Sequence, residues 1–411
     1  MIDRFSHALA RWLGVSPTVL LLAAAHLAVD GYTNIYAPLL PLLIPRLGLS
    51  LATAGTLAMS FQLAASVAQL GFGRLADRWR PRLLVMVGPV VAVLFLRLIG
   101  LATSTFMLGA ILVAGGLGSA AFHPPAAAAT HRYGGVRPGL AMSVYISGGT
   151  LGFSLGPLIF APLVDRLGLP WTPLLALPGL IVLAFYLPRA PRLEPDRHRS
   201  DGGLRGLRRY ARPLTLLYLV VVLRTLTALS FATFVPVMLT RRGLSLGQAG
   251  SAFAAYLLTS GVGGFLGGPA ADRFGPRRVI VLSLVLCAPF LAIAPALSGW
   301  PFMITLAIGG FFLLSTLPVN ITYGQLVAPV SPGTVSSLLM GGAWGTAGIA
   351  VPIVGLFADR LGIEPILMIM ASLPLVAALL AWPLPPVPRV HGASGLGAAL
   401  AEPAALEDVV R

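Results

Sequence analysis

The chain has 411 residues, 57% of apolar type and only 10% charged, with a mean hydropathy of +0.88. A water-facing domain carries about 25% charged residues, so a soluble protein is excluded, and disorder with it, because disordered chains are polar and poor in aromatics. The formal charge of +15 is not a nucleic-acid signature, because every basic residue is arginine and most sit in short stretches between apolar runs. The one cysteine, Cys287, lies inside such a run, which leaves neither a disulfide framework nor a cysteine metal site. The lysine-free, Ala/Gly/Pro-rich composition suggests a GC-rich bacterial genome.

A helix that crosses a bilayer needs about 20 apolar residues. In chain order, such runs predict twelve spans: 17–44, 51–74, 83–102, 104–129, 138–163, 170–187, 213–239, 246–270, 279–297, 301–327, 334–357 and 365–386. The alternating segments of about ten residues that mark a membrane β-barrel are missing. Ahead of the first span, Phe5, Leu9, Trp12 and Leu13 recur at helical spacing, which predicts a short helix over 1–16 lying in the interface. A cleaved signal peptide ending near Ala25 is the alternative; the apolar run continues to Leu43 and has a counterpart in the second half, which favours a span. With the amino terminus inside, cytoplasmic segments hold 21 arginines and outer loops five. The excess predicts both termini in the cytoplasm.

The chain also repeats itself at a shift of 194 to 195 residues. Gly48-Leu49-Ser50-Leu51-Ala52-Thr53-Ala54-Gly55 returns as Gly243-Leu244-Ser245-Leu246-Gly247-Gln248-Ala249-Gly250, and the run from Gly73 to Asp77-Arg78 as Gly268 to Asp272-Arg273. Gly115-Gly116 with Pro124 returns as Gly309-Gly310 with Pro318, and Asp165-Arg166-Leu167-Gly168 as Asp359-Arg360-Leu361-Gly362. Six spans per half is an even number, so the halves share one orientation, the parallel-repeat design of rocking secondary transporters. The expected fold is therefore all-α: a six-helix bundle over 1–187, a cytoplasmic linker over 188–212, a second bundle over 213–388 and a cytoplasmic tail over 389–411.

These residues carry a resemblance. Gly73-Arg74-Leu75-Ala76-Asp77-Arg78-Trp79-Arg80-Pro81-Arg82 and Gly268-Pro269-Ala270-Ala271-Asp272-Arg273-Phe274-Gly275-Pro276-Arg277-Arg278 resemble the loop signatures of the major facilitator superfamily. Arg80 departs from that pattern, standing where the family usually has glycine. His26-Leu27 with Asp30, Ser60-Phe61-Gln62-Leu63-Ala64, Gly118 to Pro124, and Gly324 to Pro329 are most similar to the fosmidomycin-resistance group of bacterial exporters. The resemblance implies a central cavity lined by helices 1, 4, 7 and 10. It also implies a cytoplasmic gate at Gly73, Asp77, Arg78, Arg82, Asp272, Arg273 and Arg277, where the bland reading is a set of positive-inside anchors. The stretch from Gly148 to Pro157 is similar to the glycine-rich fifth-helix motif of superfamily antiporters, although its trailing glycines are missing. Leu112 stands where drug–proton antiporters usually place an arginine, which shifts the proton route onto Asp30 and His123.

Charges inside a span cost about 2.5–3.5 kcal/mol on insertion scales. Asp30 is the acid set well inside one, and His26, Asp30 and Asn34 fall four apart on one helix face. The shift of 194 carries Asp30 onto Arg224 of helix 7, and two readings of that pair stand: a structural ion pair, or a coupling element in which protonation of Asp30 frees Arg224. His123 is either a packed residue satisfied by a backbone carbonyl or a proton carrier and substrate contact. Pro124 and Pro318 interrupt helices 4 and 10 as candidate flexible points, while Gly152, Gly156 and Pro157 mark close helix packing. Gln62, Asn320, Tyr323 and Gln325 are further polar candidates, and Arg97 is expected to snorkel to the outer interface.

The sequence therefore predicts a single-chain transporter of a bacterial inner membrane. It is expected to work as a monomer, exchanging protons for a small exported molecule, a drug or an anionic metabolite, with no metal, cofactor or nucleic acid. An importer of a sugar or organic acid with the same fold is the alternative. A channel fits the two matched halves less well, a polytopic enzyme would need a catalytic cluster, and no Gly-Lys-Ser/Thr phosphate loop suggests ATP drive.

Overall fold

The computed structural model describes residues 15–134, 138–194, 207–329 and 332–386. The expected interfacial helix, apart from its last two residues, the middle of the linker and the C-terminal tail lie outside these. Among the described residues, twelve helices are long and apolar enough to cross a membrane, as expected. They are α1 (Pro17–Leu47), α2 (Leu51–Ala76), α3 (Pro81–Leu101), α4 (Thr105–Tyr133), α5 (Leu140–Leu167) and α6 (Leu169–Arg189). The second six are α7 (Arg208–Arg241), α8 (Leu246–Phe274), α9 (Pro276–Ala296), α10 (Gly299–Val327), α11 (Thr334–Leu361) and α12 (Ile363–Ala381). Membrane helices of this length hide every backbone polar group inside the segment, which is why the apolar runs fold this way.

The repeated sequence motifs prove to be the turns. Gly48 and Gly243 close α1 and α7 with φ of +61° and +88°, a left-handed geometry that glycine adopts without a Cβ clash. Two residues on, Ser50 Oγ accepts from the Thr53 N–H at 3.0 Å and starts α2. In the second copy, Ser245 and Gln248 form a reciprocal cap on α8, with Gln248 N–H donating to Ser245 Oγ at 3.2 Å and Ser245 N–H to Gln248 Oε1 at 3.0 Å. The octapeptide is thus a stop signal followed by a start signal. The departure at Arg80 has a structural consequence. Gly275 takes φ +90° between α8 and α9, whereas Arg80 adopts φ −76°, ψ 80°, so the two copies of this loop turn differently because a side chain is excluded from the glycine's conformation.

Three helices carry irregularities that periodicity does not reveal. In α1 the helix is interrupted between Thr33 and Tyr36; Pro38 has no N–H to give the carbonyl of Asn34. In α2 and α11 a single π-turn intervenes, at Leu63–Val67 and Leu338–Gly342. By contrast, α4 runs unbroken through Pro124 and Pro125, and α10 through Pro318.

The chain divides into two compact units, residues 1–199 with 235–254 and residues 200–234 with 255–411. In the first unit, residues 235–254 pack on α5. Gly247 N–H at the start of α8 donates to Asp165 Oδ2 of α5 at 3.1 Å, and a Cβ on Gly250 would run into Ala161. Within the first unit, α1 packs against α5 along the glycine stripe. A Cβ on Gly152 would lie 2.9 Å from Gly31 N of α1, so only hydrogen at 152 permits this helix approach. The same unit holds Arg97, half-buried, with its Nη1 on the Pro173 carbonyl at 3.5 Å.

Candidate functional site

The polar centre of the first unit is built by α1, α4 and α5. His26 and Asp30 are one helical turn apart on α1, and His26 Nε2 lies 3.1 Å from Asp30 Oδ2. His123 of α4 reaches the other carboxylate oxygen, with Nε2 3.3 Å from Oδ1. The two imidazoles also meet, Nε2 to Nε2, at 3.2 Å. His26 is 7% exposed and Asp30 3%, with His123 half-buried beside them, so the carboxylate sits where an uncompensated charge is costly. Both carboxylate oxygens of Asp30 are thus held by histidines of its own bundle.

The far nitrogens of the two rings are also fixed. His26 Nδ1 faces the Tyr145 carbonyl of α5 at 2.8 Å, and His123 Nδ1 faces the Ser119 carbonyl at 2.7 Å. A carbonyl only accepts, so each Nδ1 carries a hydrogen, and a neutral ring then presents a bare lone pair at Nε2. Two lone pairs and a carboxylate would converge with nothing between them. One added proton resolves this: shared between an Nε2 and the carboxylate, it creates a charge-assisted hydrogen bond and leaves the cluster with no net charge. A second proton would let each Nε2–H donate to its own carboxylate oxygen but would leave a net charge of +1 among buried groups. Burial therefore favours the neutral, one-proton cluster. Three donor groups, their ligating atoms within 4.8 Å of one another, are one short of the four-ligand shell of a structural zinc site.

Two elements of this centre escaped sequence reading. Tyr145 supplies the carbonyl that orients His26 and stacks its ring on that imidazole, with centroids 4.2 Å apart. Gly149 leaves room for the cluster, since a Cβ there would lie 2.7 Å from Asp30 Oδ2. Residues 145, 149, 152 and 156 share one helical face, so extending the glycine stripe back by one turn would have reached Tyr145.

The remaining candidates are dispersed. Asn34, at the break in α1, donates to the Phe153 carbonyl at 3.1 Å. Gln62 bonds Ser66 across the π-turn of α2. In the second unit, Tyr323 OH donates to the Pro385 carbonyl at 2.7 Å, and Gln325 Nε2 donates to Ser336 Oγ at 2.8 Å. Asn34 and Gln325 thus bond neighbouring helices, whereas Gln62 bonds within α2 and Tyr323 bonds the segment after α12. Arg224 and Asn320 are almost wholly buried, at 0% and 1% exposure. Among the expected gate residues, Arg78, Arg82, Asp272 and Arg273 are exposed, and Arg277 lies over the Trp382 ring at 5.9 Å. None of these five makes an ion pair among the described residues, and the Asp77 side chain lies outside them.

Comparison with known proteins fits this architecture. The chain matches the Major Facilitator Superfamily over residues 22–250 and 217–410. It is 31% identical over 375 residues to the fosmidomycin resistance protein of Escherichia coli K12, covering 87% of this chain and 90% of that one. It is 29% identical over 386 residues to the uncharacterized MFS-type transporter YfnC of Bacillus subtilis 168, covering 90% and 93%. Among solved structures, a point mutant of the nucleoside transporter NupG superposes with a TM-score of 0.73 at 13% identity, over 89% of this chain and 99% of that one. An inward-facing bacterial homologue of the human lysosomal transporter Spinster gives 0.71 at 18% identity, over 89% and 95%. The chain belongs to the major facilitator superfamily: it is a multi-pass membrane transporter of a small molecule and not an enzyme.

Proposed function

We propose that this transporter exports a small molecule, a drug or an anionic metabolite, from a bacterial cell across the inner membrane in exchange for protons, by alternating access. The observation that carries the reading is the one-proton cluster of His26, Asp30 and His123. With its proton the cluster is neutral and joined by a hydrogen bond; without it, three lone-pair-bearing groups face one another at 3.1 to 3.3 Å. Proton occupancy thus changes whether α1 and α4 attract or repel at this point, and it couples a proton to helix packing. Tyr145 and Ser119 hold the rings so that the proton cannot be accommodated by ring rotation. Pro124 and Pro125 follow His123 directly, and Pro318 occupies the matching place in α10, so helix 4 bends most readily beside the titrating group.

The direction of transport is supported by the relative named for resistance to fosmidomycin, and the inside location of both termini by the arginine excess. Asp77, Arg78 and Arg82 with Asp272, Arg273 and Arg277 are then the cytoplasmic gate beside Gly73, and the chain works as a monomer. Whole-cell accumulation tests the direction. Cells producing the protein are expected to retain less fosmidomycin than control cells, with the difference abolished by a protonophore. Greater retention would make the protein an importer, and a difference that survives the protonophore would remove the proton drive.

A further inference from the structure

The second unit contains a charge for which its own bundle supplies no counter-charge among the described residues. Arg224, midway along α7, is 0% exposed. Its Nη2 donates to the Thr225 hydroxyl at 2.9 Å, while Nε and Nη1 have no hydrogen-bond partner. The Trp344 ring of α11 lies 5.5 Å from its Cζ, a contact worth far less than a carboxylate. No carboxylate among the described residues of this unit ion-pairs with it. Asn320 of α10 is likewise buried with both amide atoms unpartnered.

The internal repeat sharpens the point. At the shift of 194, Arg224 corresponds to Asp30, and the residues corresponding to His26, His123 and Tyr145 are Val220, Leu317 and Leu339. The first bundle surrounds its charge with partners; the second keeps a charge at the matching place, replaces both histidines with aliphatic side chains and sets the Tyr256 phenol and the Cys287 thiol near the guanidinium. A desolvated guanidinium without a counter-ion is strongly unfavourable. An arginine that only packed would be better replaced by leucine, and one that only paired would have kept an acid beside it.

We infer that Arg224 is the binding residue for the headgroup of an anionic substrate, a small organic molecule ending in a carboxylate or a phosphonate. The inference rests on the transporter reading above and narrows its substrate class. Nε and Nη1 together leave three N–H groups in the guanidinium plane without a partner, donors that suit the oxygens of an oxyanion. The Trp344 ring lies 5.5 Å from Cζ, and because the guanidinium is fully buried in this structure, the ligand reaches it only when the surrounding helices part, as alternating access requires. Thr225 holds the third nitrogen and thereby fixes the plane.

Binding to the purified full-length protein in detergent tests this without a proton gradient, so the outcome is independent of proton exchange. The probes are phenylphosphonate, benzoate and benzyl alcohol, which share an aromatic body and differ in headgroup, with thermal stability and calorimetric affinity as readouts. At least one of the two anions is expected to bind and raise the melting temperature, the other to rank below it, and benzyl alcohol to do neither. Loss of a charge-assisted hydrogen-bonding partner predicts affinity weakened about tenfold to a hundredfold in Arg224→Leu, with Arg224→Lys intermediate. The ligand-free Arg224→Leu protein is expected to melt no lower than wild type, because a buried unpaired charge has been removed. No binding by either anion at millimolar concentration would overturn the inference. Unchanged affinity in Arg224→Leu and Arg224→Lys would also overturn it, as would a marked loss of ligand-free stability in both variants, which would make Arg224 structural.

Discussion

Replacing Gly149 by alanine probes the proton cluster without altering any of its titrating groups. The added Cβ would lie 2.7 Å from Asp30 Oδ2 and against the His26 ring. A carbon–oxygen contact relaxes to about 3.2 Å, so the carboxylate must retreat by about 0.5 Å, and neighbours in a close-packed interior yield little more than that. The 3.1 and 3.3 Å separations from His26 and His123 then lengthen to about 3.6–3.8 Å, past the reach of a hydrogen bond. Losing one charge-assisted bond costs about 1.5–3 kcal/mol, equivalent to a drop of about tenfold to a hundredfold in proton-coupled transport. Overpacking adds about 1–3 kcal/mol of destabilisation. Proteoliposome transport and the melting temperature of the same preparation measure the two effects. Gly71→Ala is the control, because a Cβ there meets nothing within 4 Å, and relief from a helical glycine should make it neutral or slightly stabilising. Wild-type transport by Gly149→Ala would refute the argument that the cluster's spacing matters.

The turns make further predictions. Gly275→Ala forces a side chain to φ +90° and is expected to lower stability by about 1–3 kcal/mol, whereas Arg80→Gly at the equivalent turn, where φ is −76°, should change stability far less; thermal melts of the two variants make the comparison. Ser245→Ala removes half of the reciprocal cap on α8 and is expected to cost about 1 kcal/mol, read as a small fall in melting temperature with transport retained.

The architecture was legible because a bilayer imposes lengths. Twelve apolar runs became twelve helices, and the repeated octapeptide became the matched turns at Gly48 and Gly243. Within the site, His26 and Asp30 were legible as neighbours because their spacing of four is a property of one helix. The third member was not: His123 lies 97 positions from His26, and only the packing of α4 on α1 brings them together. Repeat symmetry set Arg224 at the position matching Asp30, but symmetry relates backbone positions and says nothing of which side chains answer a charge. The repeat held for Pro124 and Pro318 and failed for His123 and Leu317, and that asymmetry separates the two polar centres chemically. Tyr145 was missed because its contribution to His26 is a backbone carbonyl, which every residue possesses. The π-turns in α2 and α11 left no compositional mark.

The most direct test of the proton-coupled account is proton movement in liposomes loaded with a pH-sensitive dye, with fosmidomycin as the first substrate tried. Substrate-dependent proton movement is expected for the wild type and is expected to disappear in Asp30→Asn, which leaves the two imidazoles with no carboxylate to share the proton. Proton movement at the wild-type rate in Asp30→Asn, or substrate transport by the wild type with no proton movement at all, would contradict the account and leave His26, Asp30 and His123 as a structural cluster.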